Sequence, residues 1–272
     1  MKNITLIAAE FQWHDLTRYS IEQTLKHIDP AEVVIISDRE VLPGARHVQH
    51  AATNSMAEYA NLILKGMAEY VNTSHAIYVQ WDGMAYDRTQ WTPEFLKYDY
   101  IGAPWPWMPH GQNVGNGGFS LRSRRLLDVI AQDPNICLTT EIPLAEDNII
   151  AVSQRTRLET QYGIKYANAD LASQFSYEIG AHCPSLGFHG LWNVFNLLDD
   201  DAMDYYTENI SYSGWNIYKW HHTLAAVLRR DRGDLYEHML SKLIDNNPEM
   251  VQPLAEMLEH ANIDSTQPLV IS

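Results

Sequence analysis

Two short apolar runs joined by one amphipathic helix restrict this chain more than any other feature. Ile4-Thr5-Leu6-Ile7-Ala8-Ala9 is short, apolar and bounded by polar residues, the pattern of a buried strand. Leu16, Tyr19, Ile21, Leu25 and Ile28 recur at helical spacing, and Asp29-Pro30 stops the run after His27. Val33-Val34-Ile35-Ile36 is a second buried strand, ending at Ser37-Asp38. Such a strand–helix–strand unit predicts a parallel sheet covered by helices. Ligands of these sheets bind beyond the carboxyl ends of the strands. Glu10 and Asp38 lie just past two such ends, either as solvated loop acids or as contacts to a ribose or base.

The pattern continues. Ser55 to Tyr70 reads as a helix with Met56, Tyr59, Ala60, Ile63, Leu64 and Met67 on one face. Ser55 is its expected N-cap, with Glu58 at the capping-box position. Ala76 to Val79 is then a central strand that delivers Gln80 and Asp82 to the ligand edge. Trp91-Thr92-Pro93 opens a short helix through Leu96, and Asp99 to Trp105 is expected to be irregular. Four of the 14 glycines fall at positions 111, 115, 117 and 118, where a backbone free of side chains can approach a ligand closely. Phe119 to Leu121 returns to strand, and Ser123 caps a helix from Arg124 to Ile130. Ala145-Glu146-Asp147-Asn148 leads into a helix through Val152, Tyr162 to Ala167 is a strand, and Leu186 to Gly190 is a glycine-flanked loop holding His189.

From Val194 the strand signal stops. Four amphipathic helices are expected, over roughly 194–206, 215–230, 235–244 and 250–262, with Leu224, Ala225 and Leu228 as core. Trp215, Tyr218 and Trp220 are either core or acceptor contacts. The reading is therefore an α/β domain over residues 1–193, a mixed and mostly parallel sheet flanked by helices, followed by an all-helical extension over 194–272. That extension is either a packed appendix, an acceptor lid or the surface for homo-oligomerisation.

The net charge of -15 argues against a non-specific nucleic-acid binder. Residues 196–272, with 13 acidic and 5 basic side chains, carry -8 of it. Cys137 and Cys183 are too few for a disulfide framework or a zinc site. The N-terminal apolar run meets Glu10 too early for a signal peptide, and no run nears the ~18 apolar residues of a membrane span. A cytoplasmic protein is expected, at most peripheral at the inner face of the membrane.

Four sets of residues carry chemistry. Asp82, at the end of a hydrophobic strand, is either a loop acid or a ligand for a divalent metal that in turn holds a diphosphate. Glu146-Asp147, in the first turn of a helix, either favours the macrodipole or supplies a general base. His189 sits between loop glycines rather than on an apolar face, and is either a structural or solvated histidine or a contact to a ligand or metal. Trp105 and Trp107, braced by prolines, are packing residues or platforms for sugar rings.

Taken in order, the strings TSHAIYVQWDG, EFLKYDYIGAPW, VGNGGFSLRS, AED and LGFHG resemble those of a bacterial and fungal GT-A-like glycosyltransferase family known by a domain-of-unknown-function label. The resemblance spans about Ile4 to Gly190. It implies a GT-A-like, Rossmann-like fold and transfer of a sugar from a nucleotide-diphosphate donor to a glycan or other hydroxyl acceptor, as in polysaccharide biosynthesis. It implies that Asp82, with Gln80 and His189, serves the metal (Mn2+ or Mg2+) and the diphosphate. Gln80 stands where such enzymes usually carry the first acid of an Asp-x-Asp. It implies donor contacts for Glu10, Asp38, Trp81, Asn116, Gly117 and Gly118. Asp147, with Glu146 beside it, becomes the general base of an inverting reaction, and Trp105 and Trp107 meet the acceptor. Two other classes fit the same residues. A catalytically degenerate GT-A domain that binds sugar or nucleotide and a protein partner is favoured by Gln80 and opposed by Asp147 and His189. A nucleotidyltransferase is opposed by the acidic, glycine-free AAEFQWHD that follows Ile7.

Overall fold

The computed structural model of the chain describes residues 1–137, 145–180, 182–213 and 216–260. Contacts divide it into two compact units, Met1–His189 and Gly190–Ser272.

In the first unit the expected strand–helix–strand forms β1 (Ile4–Glu10), α1 (His14–His27) and β2 (Glu32–Ser37). β3 (Arg46–Gln49) follows. α2 (Met56–Asn61) passes into a π-helical turn over Leu62–Gly66 and a 3-10 turn over Met67–Tyr70. Ser55 caps α2, its hydroxyl accepting from the Glu58 N–H at 3.1 Å. Then come β4 (His75–Val79), β5 (Gly83–Ala85), β6 (Tyr100–Ile101) and β7 (Phe119–Ser123). After α3 (Arg124–Gln132), α4 (Glu146–Asn148) runs into a second π turn over Ile149–Ser153. α5 (Arg155–Tyr162), α6 (Ala169–Phe175), β8 (Ser176–Tyr177) and β9 (Gly187–His189) complete the unit.

The main sheet has the order β3-β2-β1-β4-β7-β6. Its first four strands are mutually parallel, while β7 is antiparallel to both of its neighbours. The sheet is mixed and mostly parallel, as the sequence led us to expect. Alternation in β1 explains why. Ile4, Leu6 and Ala8 enter one apolar cluster, and Ile7 and Ala9 enter another. Both faces are therefore covered, as parallel strands require.

Three local readings need correction. The segment 99–105 contains β6, pairing with β7. The strand expected over 162–167 reduces to one bridge, Tyr100 to Tyr166, flanked by the Asp99 N–H to Lys165 carbonyl and Ala167 N–H to Tyr100 carbonyl bonds, because Gly163 ends α5 in the left-handed region and only the last residues reach β6. The loop expected at 186–190 contains β9, which pairs antiparallel with β5 and parallel with β8. Gly187 makes that pairing feasible, since a Cβ there would come within 2.4 Å of the Phe119 ring.

Ser123 closes β7 and opens α3. Its hydroxyl accepts from the Leu126 N–H at 3.0 Å and donates to Asp99 Oδ1 at 2.6 Å, all of it buried. Ser123→Ala should cost about 1–2 kcal/mol. Urea unfolding checks this: the midpoint should fall with an unchanged slope.

The second unit comprises α7 (Leu191–Leu197), α8 (Asp200–Asn209), α9 (Ile217–Arg229), α10 (Gly233–Asn246) and α11 (Pro248–His260). The single helix expected over 194–206 is two. The Asp199 carboxylate accepts from the Ala202 N–H at 3.0 Å and starts α8 afresh. α9 packs on α7, α10 and α11 and buries Trp220, Leu224 and Ala225. Trp220 lies parallel to the Tyr212 ring, centroids 5.3 Å apart, and is core; Tyr218 is exposed. Trp215 and residues 261–262 lie outside the described residues.

Candidate functional site

β4 ends at Val79, and the chain turns at once. The Gln80 N–H donates to the Gly118 carbonyl at 2.9 Å, and the Gly83 N–H donates back to the Gln80 carbonyl at 3.0 Å. The Ser20 hydroxyl of α1 sits between the Gln80 and Gly83 carbonyls, at 3.0 and 2.6 Å. This turn presents Asp82 in a buried position, 4% exposed. β5 then pairs with β9 so that Gly83 faces His189. Two residues distant in sequence are thereby joined: His189 Nε2 lies 3.2 Å from Asp82 Oδ1.

His189 Nδ1 lies 3.1 Å from Glu178 Oε1, just past β8. Burial favours the neutral ring, but the Asp82 and Glu178 carboxylates outweigh it and raise the imidazole to about 10. Asn116 joins the group. Its Nδ2 donates to Glu178 Oε1 at 2.9 Å, and its Oδ1 accepts from the Gly118 N–H at 2.9 Å. A Cβ on Gly118 would stand 2.1 Å from His189 Cδ2 and 2.8 Å from Gln80 Oε1. Gln80, Asp82, Asn116, Gly118 and His189 thus converge.

Asp147 reaches the same loop from α4. Its Oδ2 accepts from the Gly117 N–H at 3.1 Å and its Oδ1 from the Asn148 N–H at 2.7 Å. Burial first, then the charge of Glu146, raises its carboxyl to about 7, against the pull of the two N–H donors. Glu146 faces inward instead. Its Oε1 is 2.9 Å from Nη2 of Arg122, a fully buried cation on β7. A Cβ on Gly117 would lie 2.6 Å from Glu146 Oε1 and 2.9 Å from Asp147 Cβ.

The other expected residues make contacts of their own. Glu10 Oε1 accepts from the N–H groups of Phe11, Gln12 and Trp13 at 2.7–2.9 Å, and its Oε2 accepts from the Thr17 hydroxyl at 3.0 Å. Its carboxylate is committed to shaping the entry to α1. Asp38 Oδ1 lies 2.6 Å from His14 Nε2, and that hydrogen bond holds its carboxyl below the usual range. Trp81 rests against Trp13, ring centroids 5.3 Å apart. Trp105 is only 6% exposed, with one face closed by Gly115 and Trp107 stacked beside it. It packs rather than presents a platform; Trp107, 63% exposed, keeps an open face.

Glu178 and Arg122 were not singled out from the sequence. Glu178 stands in SYEIG, with no motif to mark it. Arg122 did leave a signal, since an arginine within a strand bound for the core demands a buried carboxylate.

Among the described residues no group of three or more His, Cys, Asp or Glu side chains is arranged to hold a metal ion. The smaller set of Asp82, His189 and the Gln80 amide oxygen would fit a hard divalent cation only with loss of the proton that joins His189 Nε2 to Asp82, since the neutral imidazole alone ligates a metal. Glu178 on Nδ1 orients the imidazole as a carboxylate does for a ligating histidine, with Nε2 toward Asp82. Diphosphate oxygens and water would complete such a shell. No helix among the described residues is long and apolar enough to cross a membrane.

The sequence pattern of a family described as "Protein of unknown function (DUF5672)" matches residues 44–189. No curated protein matches. Among solved structures, the galactosyltransferase LgtC in complex with donor and acceptor sugar analogs is similar at 12% identity and a TM-score of 0.45, over 68% of this chain and 86% of that one. The apo-form glycosyltransferase GlyE of Streptococcus pneumoniae TIGR4 is similar at 11% identity and a TM-score of 0.45. There the match covers 89% of this chain and 64% of GlyE, under two thirds of GlyE's length.

Proposed function

We propose that this chain, which belongs to the DUF5672 family of proteins of unknown function, transfers a sugar from a nucleoside-diphosphate donor to an acceptor hydroxyl with inversion. One observation carries the reading: two successive glycines separate two chemistries. Gly117 abuts Asp147, and Gly118 abuts His189 and Gln80. A donor laid along this loop would have its diphosphate at Asp82 and His189 and its anomeric carbon toward Asp147.

Asp147 is suited to the base. A carboxylate poised near 7 is about half ionised at neutral pH and basic enough to accept a proton in the transition state. In the reaction the acceptor hydroxyl gives its proton to Asp147, and its oxygen forms the bond to the anomeric carbon. The bond from that carbon to the diphosphate breaks, and the nucleoside diphosphate leaves with the electron pair. Asp82, His189 and Gln80 would hold a Mn2+ or Mg2+ ion, which when bound supplies positive charge to the leaving diphosphate. Gln80 in place of an acid lowers the charge of that site and favours a second reading, a domain that binds donor without turnover.

Melting temperatures with UDP, GDP, CDP and dTDP, each with Mn2+, Mg2+ or EDTA, test the donor site. One nucleoside diphosphate should raise the melting temperature in a metal-dependent way, since ligand at a hundred times its Kd stabilises by about 2.7 kcal/mol. Absence of a shift with all four would overturn the donor assignment.

A further inference from the structure

We propose that Arg122 and Glu146 form a positioning pair that locks Asp147 against the Gly117 loop and fixes a negative charge beside the base. This rests on Asp147 being the base of the proposed reaction.

Arg122 is the fourth of the five residues of β7 and is wholly buried. Its Nη2 donates to Glu146 Oε1 at 2.9 Å and to the Gly117 carbonyl at 3.3 Å, and its Nε donates to the Ser120 hydroxyl at 3.0 Å. The guanidinium lies 4.8 Å from the centre of the Tyr78 ring and 5.9 Å from that of Tyr100. Its Nη1 has no hydrogen-bond partner among the described residues. Stability does not explain this choice. An apolar pair of similar volume commonly serves a core as well as a buried ion pair does, and a buried donor left unsatisfied adds further cost.

What the pair does achieve is geometric. It ties β7, the glycine loop and the start of α4 at one point. Gly117 is gripped from both sides. Its N–H donates to Asp147, while its carbonyl accepts from Arg122 and, at 2.8 Å, from the Ser120 hydroxyl. Glu146 is pulled inward by Arg122, which leaves the adjacent Asp147 facing the loop. Among the described residues, the charged and titratable groups around Asp147 are Glu146 on its own turn, Glu178 past β8, Arg122 on β7 and Tyr100 on β6. The two carboxylates raise the proton affinity of Asp147, Glu146 more than Glu178. Glu146 thus serves both as the handle by which Arg122 sets the turn and as a charge that keeps the base basic.

Glu146→Gln keeps the volume and an acceptor for Arg122 but removes the charge. The titration midpoint of Asp147 should then fall by about one pH unit or more. It is read without any turnover by carboxyl-carbon NMR of the full chain, assigned with Asp147→Asn, and the acid limb of kcat should move the same way. A second variant, Arg122→Met with Glu146→Leu, replaces the pair by apolar side chains. It should fold and keep its nucleoside-diphosphate shift, while transfer falls about 10²-fold from the loss of alignment. An unmoved Asp147 midpoint in Glu146→Gln, or parental transfer in the double variant, would overturn the inference. If the double variant does not fold, the NMR midpoint still decides. A moved midpoint in a chain that transfers no sugar keeps the pair's hold on Asp147 and removes the proposed reaction instead.

Discussion

Asp147→Asn is expected to lower kcat about 10²–10⁴-fold while leaving the nucleoside-diphosphate melting shift in place. The amide keeps one oxygen to accept from a backbone N–H, but it has no lone pair basic enough to take the acceptor's proton. In the parent chain the same group should govern the acid side of the pH profile. With its carboxyl raised to about 7, the fraction in base form falls about tenfold per pH unit below that point. The substitution also has an expected effect on stability. The folded chain holds the Asp147 proton more tightly than the unfolded chain, where the carboxyl is ordinary. The stability this proton contributes is complete below about pH 4 and is lost as pH rises through about 7. Above pH 7 the parent therefore bears a penalty that the asparagine variant lacks. The variant should be the more stable there by about 1–3 kcal/mol, a range that allows for partial solvent contact and for the N–H group that its NH2 cannot accept from. Loss of activity with a gain in alkaline stability distinguishes a base from a structural acid. A variant that keeps its kcat, or is destabilised above pH 7, sinks the assignment.

Gly118→Ala should be the most damaging change of one methyl group in the site. The added carbon would stand 2.1 Å from Cδ2 and 2.3 Å from Nε2 of His189. His189 is the last residue of β9, paired across to Gly83, so its ring must be driven away from Asp82 and Glu178. Breaking a buried pair of this kind costs about 3–5 kcal/mol. For a chain of this size that is a fall in melting temperature on the order of 10 °C. The nucleoside-diphosphate shift should vanish with it, because the diphosphate end of the site has been dismantled. Gly233→Ala is the matched control. It opens α10, nothing lies within 4 Å of its added carbon, and it should melt within about a degree or two of the parent. If Gly118→Ala melts like Gly233→Ala and still binds nucleotide, the convergence of His189, Gln80 and the glycine loop is not what holds the ligand.

Legibility in the sequence followed element length. β1, α1, β2 and β4 were readable because each is long enough to show a period, and because both faces of the strands are apolar. β5, β8 and β9 have two or three residues each and show none. Those strands nevertheless build the site, since pairing of β5 with β9 is what brings Asp82 to His189. The sequence named both residues by motif but held no information on their separation. Trp105 and Trp107 show the same limit at close range. They share one proline-braced string, and only the folded chain, with the Trp105 ring packed into the core against Gly115, makes the first buried and the second open.

The sequence by itself determined the mixed α/β sheet, the helical second part and the candidates Asp82, Asp147 and His189, because periodicity, caps and glycine clusters are local properties of the chain. Tertiary structure alone decided that Glu10 is used up in capping its own turn and that Glu178 orients His189. It alone decided that Glu146 turns inward to Arg122 while Asp147 faces Gly117. Those outcomes depend on which carboxylate meets which donor across tens of residues. The chemistry of an acidic side chain is the same at every position in a sequence; burial and neighbouring charge, which exist only once the chain is folded, make one a cap, one a partner and one a base.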